Sequence, residues 1–233
     1  MYKAIFFDMG NTLSQPRPSR EEVMADFLRE KGYGFPVRDT AAAFLAADLF
    51  FYDWAQATPY PQRESLDRRA MWLSYTRTFL ESLGLDHNDG WHQEMAQVFE
   101  AAARRRHTAL FPEVLETLDA LKAKGLKLAV VSNWDNTLEE HCQELGLTRY
   151  MEVVAASQVV GSDKPDAGIF RYALEKAGVA PQETLHVGDM YPADVVGARN
   201  ANITPVLVDR YDLQPQADCL RVRSLWEVVG LVR

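Results

Sequence analysis

Short apolar runs that end in polar residues alternate with helical segments along most of this chain, and that alternation limits the fold more than any other feature. The runs that read as strands cover residues 2–7, 126–131, 151–155, 184–187 and 204–208. Strands that alternate with helices form a parallel sheet through right-handed crossovers. We therefore predict an α/β fold, in which a parallel sheet carries helices on both faces.

Polar side chains follow three of these apolar runs directly. Asp8, Ser132 and Asp189 each come just after a predicted strand. In open parallel sheets the carboxyl ends of the strands lie at one edge, and ligands bind beyond that edge. We expect these three side chains to lie together and to form a site.

The segment between residues 14 and 108 has a different hydrophobicity pattern, because long amphipathic stretches replace the strand-like runs. Ser19 and Glu22 have the spacing of a capping box that opens a helix. Further helices are predicted over 37–57, 63–82 and 90–106. We predict an all-helical domain, 14–108, inserted into an α/β core of residues 1–13 and 109–233. Because the chain enters this domain after the first strand and returns to the core before the second, we expect the domain to cover the site.

Composition narrows the class of partner. The chain has 25 Lys and Arg residues against 33 Asp and Glu, a net charge of −8, which disfavours nucleic acid and favours a small ligand. The two cysteines form no CxxC motif, and the apolar run at the amino terminus ends at Asp8, too short for a signal peptide or a membrane span. We predict a cytoplasmic monomer or homodimer that binds no membrane.

Four short segments in this order resemble the four motifs of the haloacid dehalogenase-like superfamily. They are Asp8-Met-Gly-Asn-Thr12, Val131-Ser132-Asn133, Lys164-Pro165-Asp166 and Gly188-Asp189-Met-Tyr-Pro-Ala-Asp194. The resemblance covers the whole predicted core and implies a Rossmann-like sheet. The insertion is similar in place and helical character to the cap domain of that family, although it has no equally specific motif.

The resemblance implies a magnesium-dependent phosphatase of small phosphorylated metabolites. Asp8 would be the nucleophile and form an aspartyl-phosphate. Mg²⁺ would bind Asp8, the Gly10 carbonyl, Asp189 and Asp194, whereas Ser132, Asn133 and Lys164 would hold the phosphoryl group. The chemistry needs these cations because a carboxylate that attacks a phosphate brings like charges together. Backbone N–H groups near Met9 and Asn133 would assist.

The chain departs from the family pattern at Gly10. Phosphatases of the family usually have a second aspartate there, which protonates the leaving oxygen and activates water. The enzyme would then act on acyl or aryl phosphates, whose leaving groups need no proton, or use an acid from the cap. Alternatively it is a 2-haloacid dehalogenase-type hydrolase that uses Asp8 on carbon, or a catalytically weak binding or regulatory protein. The retained Asp189 and Asp194 favour the metal-dependent phosphatase.

Several of these residues also have an ordinary structural interpretation. Asp194 would favour the amino end of its helix through the helix dipole. His186, inside an apolar strand, is interpreted as a core residue with satisfied hydrogen bonds. Substrate choice is expected to depend on cap residues, for which the candidates are Arg17, Arg20, Trp54, Tyr60 and Arg63.

Overall fold

The computed structural model describes residues 1–57, 68–86, 89–104 and 107–232. The chain divides into two compact units, one formed by Met1–Gln15 with Thr108–Arg233 and the other by Pro16–His107. The role of the second unit as a cap, and the domain boundaries given above, stay predictions.

The strands are short, and most of them begin or end at the positions that hydrophobicity predicts. They are β1 (Ala4–Phe7), β2 (Ser14–Arg17), β3 (His107–Leu110), β4 (Lys127–Ser132), β5 (Met151–Ala156), β6 (Thr184–Gly188), β7 (Thr204–Val208) and β8 (Leu220–Val222).

The helices of the first unit connect these strands. They are α5 (Val114–Ala123), α6 (Leu138–Glu144), α7 (Ser157–Val160), α8 (Ala167–Ala177), α9 (Val196–Asn200) and α10 (Val228–Leu231), with short 3₁₀ turns at Pro181–Glu183 and Leu225–Glu227 and a π-helical turn at Tyr191–Val195. The helices of the second unit are α1 (Arg20–Glu30), α2 (Val37–Ala57), α3 (Arg68–Ser82) and α4 (Asp89–Ala103).

Strand β1 lies near the middle of a six-stranded sheet with the order β5-β4-β1-β6-β7-β8. Each neighbouring pair in this sheet is parallel. All six strands therefore present their carboxyl ends at the same edge, and Asp8, Ser132 and Asp189 belong to strands, or directly follow strands, that lie side by side. The predicted α/β fold with a parallel sheet is confirmed.

Alternate residues of β1 pack on opposite faces of the sheet, as the two-residue period of a strand requires. Ile5 and Phe7 belong to an apolar cluster with α5, α6 and α10, whereas Ala4 and Phe6 belong to a second cluster with α8 and α9. All four side chains are fully buried. Because both faces of the strand are covered, Ala4–Phe7 is an unbroken apolar run, and Asp8 is the first polar residue after it.

The second unit has its own apolar core, formed by side chains from all four of its helices. Helix α1 begins with the predicted capping box, in which the Ser19 side chain accepts from the Glu22 N–H and Glu22 accepts from the Ser19 N–H. The close contact of Phe44 with Phe79, ring centroids 4.5 Å apart, joins α2 to α3. This unit is therefore held together by ordinary helix packing.

The prediction that residues 14–108 are entirely helical is wrong at both ends, where β2 and β3 form a two-stranded sheet. Four-residue strands, one of them containing Pro16, give too short a pattern to detect, and each pairs with a segment far along the chain. Strand β8 was also not predicted from the sequence.

Helices α3 and α4 match the predicted 63–82 and 90–106 only in part, because 63–67 and 105–106 lie outside the described residues. Among the helices that the structure describes, none is both long and apolar enough to cross a bilayer.

Candidate active site

Asp8 lies directly after β1, and its backbone continues the sheet for one more hydrogen bond, from its N–H to the Val187 carbonyl 2.9 Å away. The carboxylate is almost completely buried, with 8% of the residue exposed. Two donors bind the same oxygen, Oδ1: the Ser132 hydroxyl at 2.9 Å and Lys164 Nζ at 2.6 Å. Ser132 is the last residue of β4, and Lys164 lies in the loop before α8. Because the two donors are held by separate segments, the rotation of the Asp8 carboxylate is fixed.

Lys164 joins Asp8 to a second carboxylate. Its Nζ lies 2.6 Å from Oδ1 of Asp8 and 2.6 Å from Oδ1 of Asp194, and the lysine side chain is 2% exposed. Burial raises the pKa of Asp8, although the charge of Lys164 opposes that shift. Burial alone would lower the pKa of Lys164, but the two carboxylates raise it, and the lysine stays charged.

Asp194 is fixed from three sides in the π-helical turn. Besides Lys164, its Oδ1 is bound by His186 Nε2 at 2.9 Å, and its Oδ2 accepts from the Met190 N–H at 3.0 Å. Burial alone would raise the pKa of Asp194, but Lys164 and His186 outweigh it and lower the pKa well below its usual range. The aspartate is therefore a buried anion whose orientation is set by specific contacts beyond its position at the start of a helix.

The close approach of Asp194 depends on a glycine. A Cβ atom at Gly188 would lie 2.1 Å from Cγ of Asp194 and 2.3 Å from its Oδ2. Gly188 is thus needed because no other residue leaves space for the carboxylate against the end of β6.

Asp189 completes the acidic group at this edge. One carboxylate oxygen each from Asp8, Asp189 and Asp194 lie within 4.8 Å of one another. Oδ1 of Asp189 accepts from the Thr12 hydroxyl at 3.2 Å. Oxygen atoms of carboxylates are the ligands that hard divalent cations prefer, and three anions beside a single buried lysine leave negative charge that a cation would compensate. The donor set fits Mg²⁺.

Asn133 supports the segment that carries Lys164. Its side-chain amide donates to the Lys164 carbonyl at 3.0 Å, and its Oδ1 accepts from the Lys164 N–H at 2.7 Å. The side chain is thus engaged with protein backbone. The predicted contact of Asn133 with a phosphoryl group stays a prediction, for which its backbone N–H is the better donor.

Gly10 lies in the turn after the nucleophile. Its backbone does not have the positive φ that favours glycine, and no described heavy atom would lie within 4 Å of an added Cβ. The absence of a side chain at this position therefore does not follow from backbone strain or crowding. It is a chemical departure from the family pattern, because the turn has room for a Cβ at this position.

The structure brings together Asp8, Ser132, Lys164, Asp189 and Asp194, all of which the sequence predicted as site residues; their catalytic roles stay predictions. It also adds two residues to which the sequence analysis gave no role in the site, Thr12 and His186. The expectation that His186 is satisfied is wrong, because its Nδ1 has no hydrogen-bond partner in the part of the chain that the structure describes. The sequence pointed to a role for His186 in the site only through its position, two residues before Gly188 inside an apolar strand.

Of the proposed specificity residues, Arg20 is engaged within the helical unit. Its guanidinium contacts both carboxylate oxygens of Asp48, at 2.9 and 2.5 Å, and Tyr75 donates to the same carboxylate at 2.7 Å. This arrangement ties α1 to α2 and α3. Tyr60 and Arg63 lie outside the described residues, so their predicted role is unchanged.

Comparison with known proteins agrees with this geometry. The profile of a haloacid dehalogenase-like hydrolase matches residues 2–202. A phosphoserine phosphatase from Thermus thermophilus is 34% identical over 248 aligned residues, covering 97% of each chain. A magnesium-bound hydrolase from Bacillus subtilis is 16% identical with a TM-score of 0.64, over 100% of this chain and 99% of the other. An L-2-haloacid dehalogenase from Xanthobacter autotrophicus is 21% identical with a TM-score of 0.59, over 100% and 99%. These two structures share the fold, and the fold alone does not separate a phosphatase from a dehalogenase.

Proposed function

The chain belongs to the haloacid dehalogenase-like hydrolase family and is a hydrolase, and from that premise we propose that it is a magnesium-dependent phosphatase whose nucleophile is Asp8. Its substrates would be small phosphorylated molecules. The observation that carries the proposal is the group of Asp8, Asp189 and Asp194, whose oxygens lie within 4.8 Å of one another beside the buried Lys164.

Four groups would hold the cation: the carboxylates of Asp8, Asp189 and Asp194 and the backbone carbonyl of Gly10. Mg²⁺ bound there would neutralise part of the negative charge that two anions, the nucleophile and the phosphate ester, bring together. The retained Asp189 and Asp194 argue for the metal-dependent reaction over the dehalogenase alternative, since attack on carbon does not require a cation.

Asp8 would attack phosphorus with a carboxylate oxygen, and the bond from phosphorus to the ester oxygen would break as the new bond forms. The aspartyl-phosphate would then be hydrolysed by water, which returns the carboxylate and releases inorganic phosphate. The hydrogen bond from Ser132 and the ion pair with Lys164 orient the nucleophile before attack. During transfer both donors are close enough to Asp8 to turn toward the phosphoryl oxygens, where they would stabilise the developing charge.

Gly10 limits the choice of leaving group. Because this position has no carboxylic acid, no side chain at Gly10 can donate a proton to the leaving oxygen. General acid–base help of this kind is worth about 10²- to 10⁴-fold in rate. We therefore propose acyl and aryl phosphates as the better substrates, and alkyl phosphates such as phosphoserine, the substrate in the name of the Thermus relative, as slower ones unless another acid takes part.

A panel of substrates tests the proposal with the complete chain. Phosphate release is measured from acetyl phosphate, p-nitrophenyl phosphate and phosphoserine, each with Mg²⁺ and with a chelator, and halide release from 2-chloropropionate. Asp8→Asn removes the nucleophile. Asp119→Asn is the matched control, because this carboxylate accepts from the Tyr150 hydroxyl at 3.0 Å, away from the site.

We expect phosphate release that requires Mg²⁺, is lost in Asp8→Asn and is retained in Asp119→Asn. Halide release that does not need a metal would replace the proposal with the dehalogenase alternative. A chain that binds Mg²⁺ but releases neither product would support the binding or regulatory alternative.

A further inference from the structure

Arg210, which the proposed mechanism does not use, reaches from the end of β7 to the turn that follows the nucleophile. Its Nη2 lies 3.0 Å from the Thr12 carbonyl and its Nε 3.5 Å from the Asn11 carbonyl. The residue follows β7 by two positions, so it comes from the same carboxyl edge of the sheet as Asp8, with β6 between the two strands. The turn that holds the nucleophile is therefore bound to a separate segment of the core.

The guanidinium is itself fixed by two further contacts. Nη1 forms an ion pair with Glu113 Oε1 at 2.6 Å, and the group lies over the ring of Phe111, 3.5 Å from its centroid. Burial alone would raise the pKa of Glu113, but the hydrogen bond from Arg210 lowers it, which keeps the pair charged near neutral pH. A planar cation held by a carboxylate and an aromatic ring has little freedom to move.

The turn needs such support because its backbone is strained. Asn11 has a φ of 53°, in the left-handed region that a residue with a side chain enters less readily than glycine. The N–H of Asn11 donates to the Ser14 carbonyl at 2.7 Å, whereas the carbonyls of Asn11 and Thr12 face Arg210. The conformation of the turn thus depends on contacts outside it.

The same turn fixes one member of the acidic group. The Thr12 hydroxyl donates to Asp189 Oδ1 at 3.2 Å, while the Thr12 carbonyl accepts from Arg210. A continuous path of contacts therefore runs from Glu113 through Arg210 and Thr12 to Asp189. Displacement of the turn would displace both the hydroxyl on Asp189 and the neighbouring Gly10 carbonyl.

We infer that Arg210 is a positioning residue for the divalent cation site, acting through the Asn11–Thr12 turn on Asp189. The inference rests on the metal site of the proposed function. Replacement of a residue that orients metal ligands typically lowers metal affinity about 10- to 100-fold. Arg210 is placed to act in this way. A residue with a purely structural role would change stability without changing the affinity of the folded protein for the ion.

The test measures binding of Mg²⁺ alone by isothermal titration calorimetry, for the complete chain and for Arg210→Met and Arg210→Lys. Arg149→Met is the matched control, because that guanidinium also lies over an aromatic ring, 4.7 Å from the centroid of Tyr150, just before the amino end of β5. Thr12→Val removes the hydroxyl from Asp189 and leaves the carbonyl that Arg210 binds. Thermal unfolding followed by circular dichroism shows which variants are folded.

We expect the dissociation constant for Mg²⁺ to rise about 10- to 100-fold in Arg210→Met and in Thr12→Val, less in Arg210→Lys, and to stay unchanged in Arg149→Met. The effects of Arg210→Lys and Thr12→Val should not add in the double variant, since both act through one contact path.

Unchanged affinity in folded Arg210→Lys and Thr12→Val would overturn the inference even if Arg210→Met does not fold. Failure of the unaltered chain to bind Mg²⁺ would overturn it as well. Magnesium binding that follows the expected pattern without phosphate release would contradict only the proposed phosphatase function, so the two failures are distinguishable.

Discussion

The ammonium group of Lys164 lies 2.6 Å from a carboxylate oxygen of Asp8, and the two side chains are only 2% and 11% exposed. A buried charge is costly unless it is paired, and this lysine is paired twice, since Asp194 lies at the same distance on its other side. Lys164 therefore offsets part of the negative charge of the site before any ligand binds. We expect this lysine to matter both to stability and to catalysis.

Replacement of Lys164 by methionine should harm stability and activity together. Breaking a buried pair by removing one partner typically costs about 3–5 kcal/mol, because the remaining carboxylates stay buried. We expect a loss of this size in the free energy of unfolding by urea, and a fall in the rate of phosphate release of about 100-fold or more. In the control, Lys127→Met, the lost ammonium donates to the Ala177 carbonyl, and the cost should be about 1 kcal/mol. Equal effects of the two substitutions would contradict the special role of Lys164.

Introduction of an acid at Gly10 should raise activity toward alkyl phosphates. The turn has room for a Cβ, since the backbone φ of Gly10 is not in the left-handed region and none of the described atoms would lie within 4 Å of the new Cβ. In Gly10→Asp we expect kcat/KM for phosphoserine to rise by at least about 10-fold, toward the 10² to 10⁴ that general acid–base catalysis provides. The rate with acetyl phosphate, whose leaving group needs no proton, should change little.

Gly10→Asn separates proton transfer from steric effects, because the amide has the same shape as the acid but gives up no proton. It should behave like the unaltered chain toward phosphoserine. If both variants gain equally, or if neither gains while remaining folded, the explanation based on a missing acid is wrong.

The sequence predicted the sheet well because each core strand carries its own signal. Both faces of β1 are covered, so Ala4–Phe7 is an uninterrupted apolar run, and the first polar residue after it is the candidate nucleophile. Loops that follow parallel strands meet at one edge for topological reasons, which is why the order of residues along the chain was enough to group Asp8, Ser132 and Asp189.

The residues that support the site could not be predicted in the same way. Arg210 lies almost two hundred positions from Thr12 along the chain, and a lone arginine after a strand has many ordinary interpretations. His186 has no local pattern that distinguishes a core histidine from one that orients Asp194. Such contacts follow from the packing of segments that are distant in sequence, and only the three-dimensional arrangement shows them.

The two cysteines should differ in reactivity. Burial, with a smaller contribution from Glu139, raises the pKa of Cys142 to about 12, and the thiolate is the form that reacts. Burial also raises the pKa of Cys219, but this residue is only partly buried, so a reagent can reach its thiol. At pH 8 a thiol reagent should therefore label Cys219 in the native protein and Cys142 only after unfolding in urea. Cys219→Ser should remove the native-state signal and Cys142→Ser should leave it, as counted by mass spectrometry; rapid native labelling of Cys142 would contradict its burial.

Addition of one methyl group at Gly188 should disrupt the acidic group. The new Cβ would lie 2.1 Å from Cγ of Asp194, too close for atoms that are not bonded, so the carboxylate would have to leave its position against Lys164 and His186. Overpacking of this kind typically costs about 1–3 kcal/mol. In Gly188→Ala we expect that loss in urea unfolding, with phosphate release reduced about 10-fold or more.

Gly230→Ala is the matched control, because its Cβ would meet no described atom within 4 Å and its helix would gain from alanine. A folded Gly188→Ala protein that retains full activity would show that the position of Asp194 at this edge does not matter for catalysis.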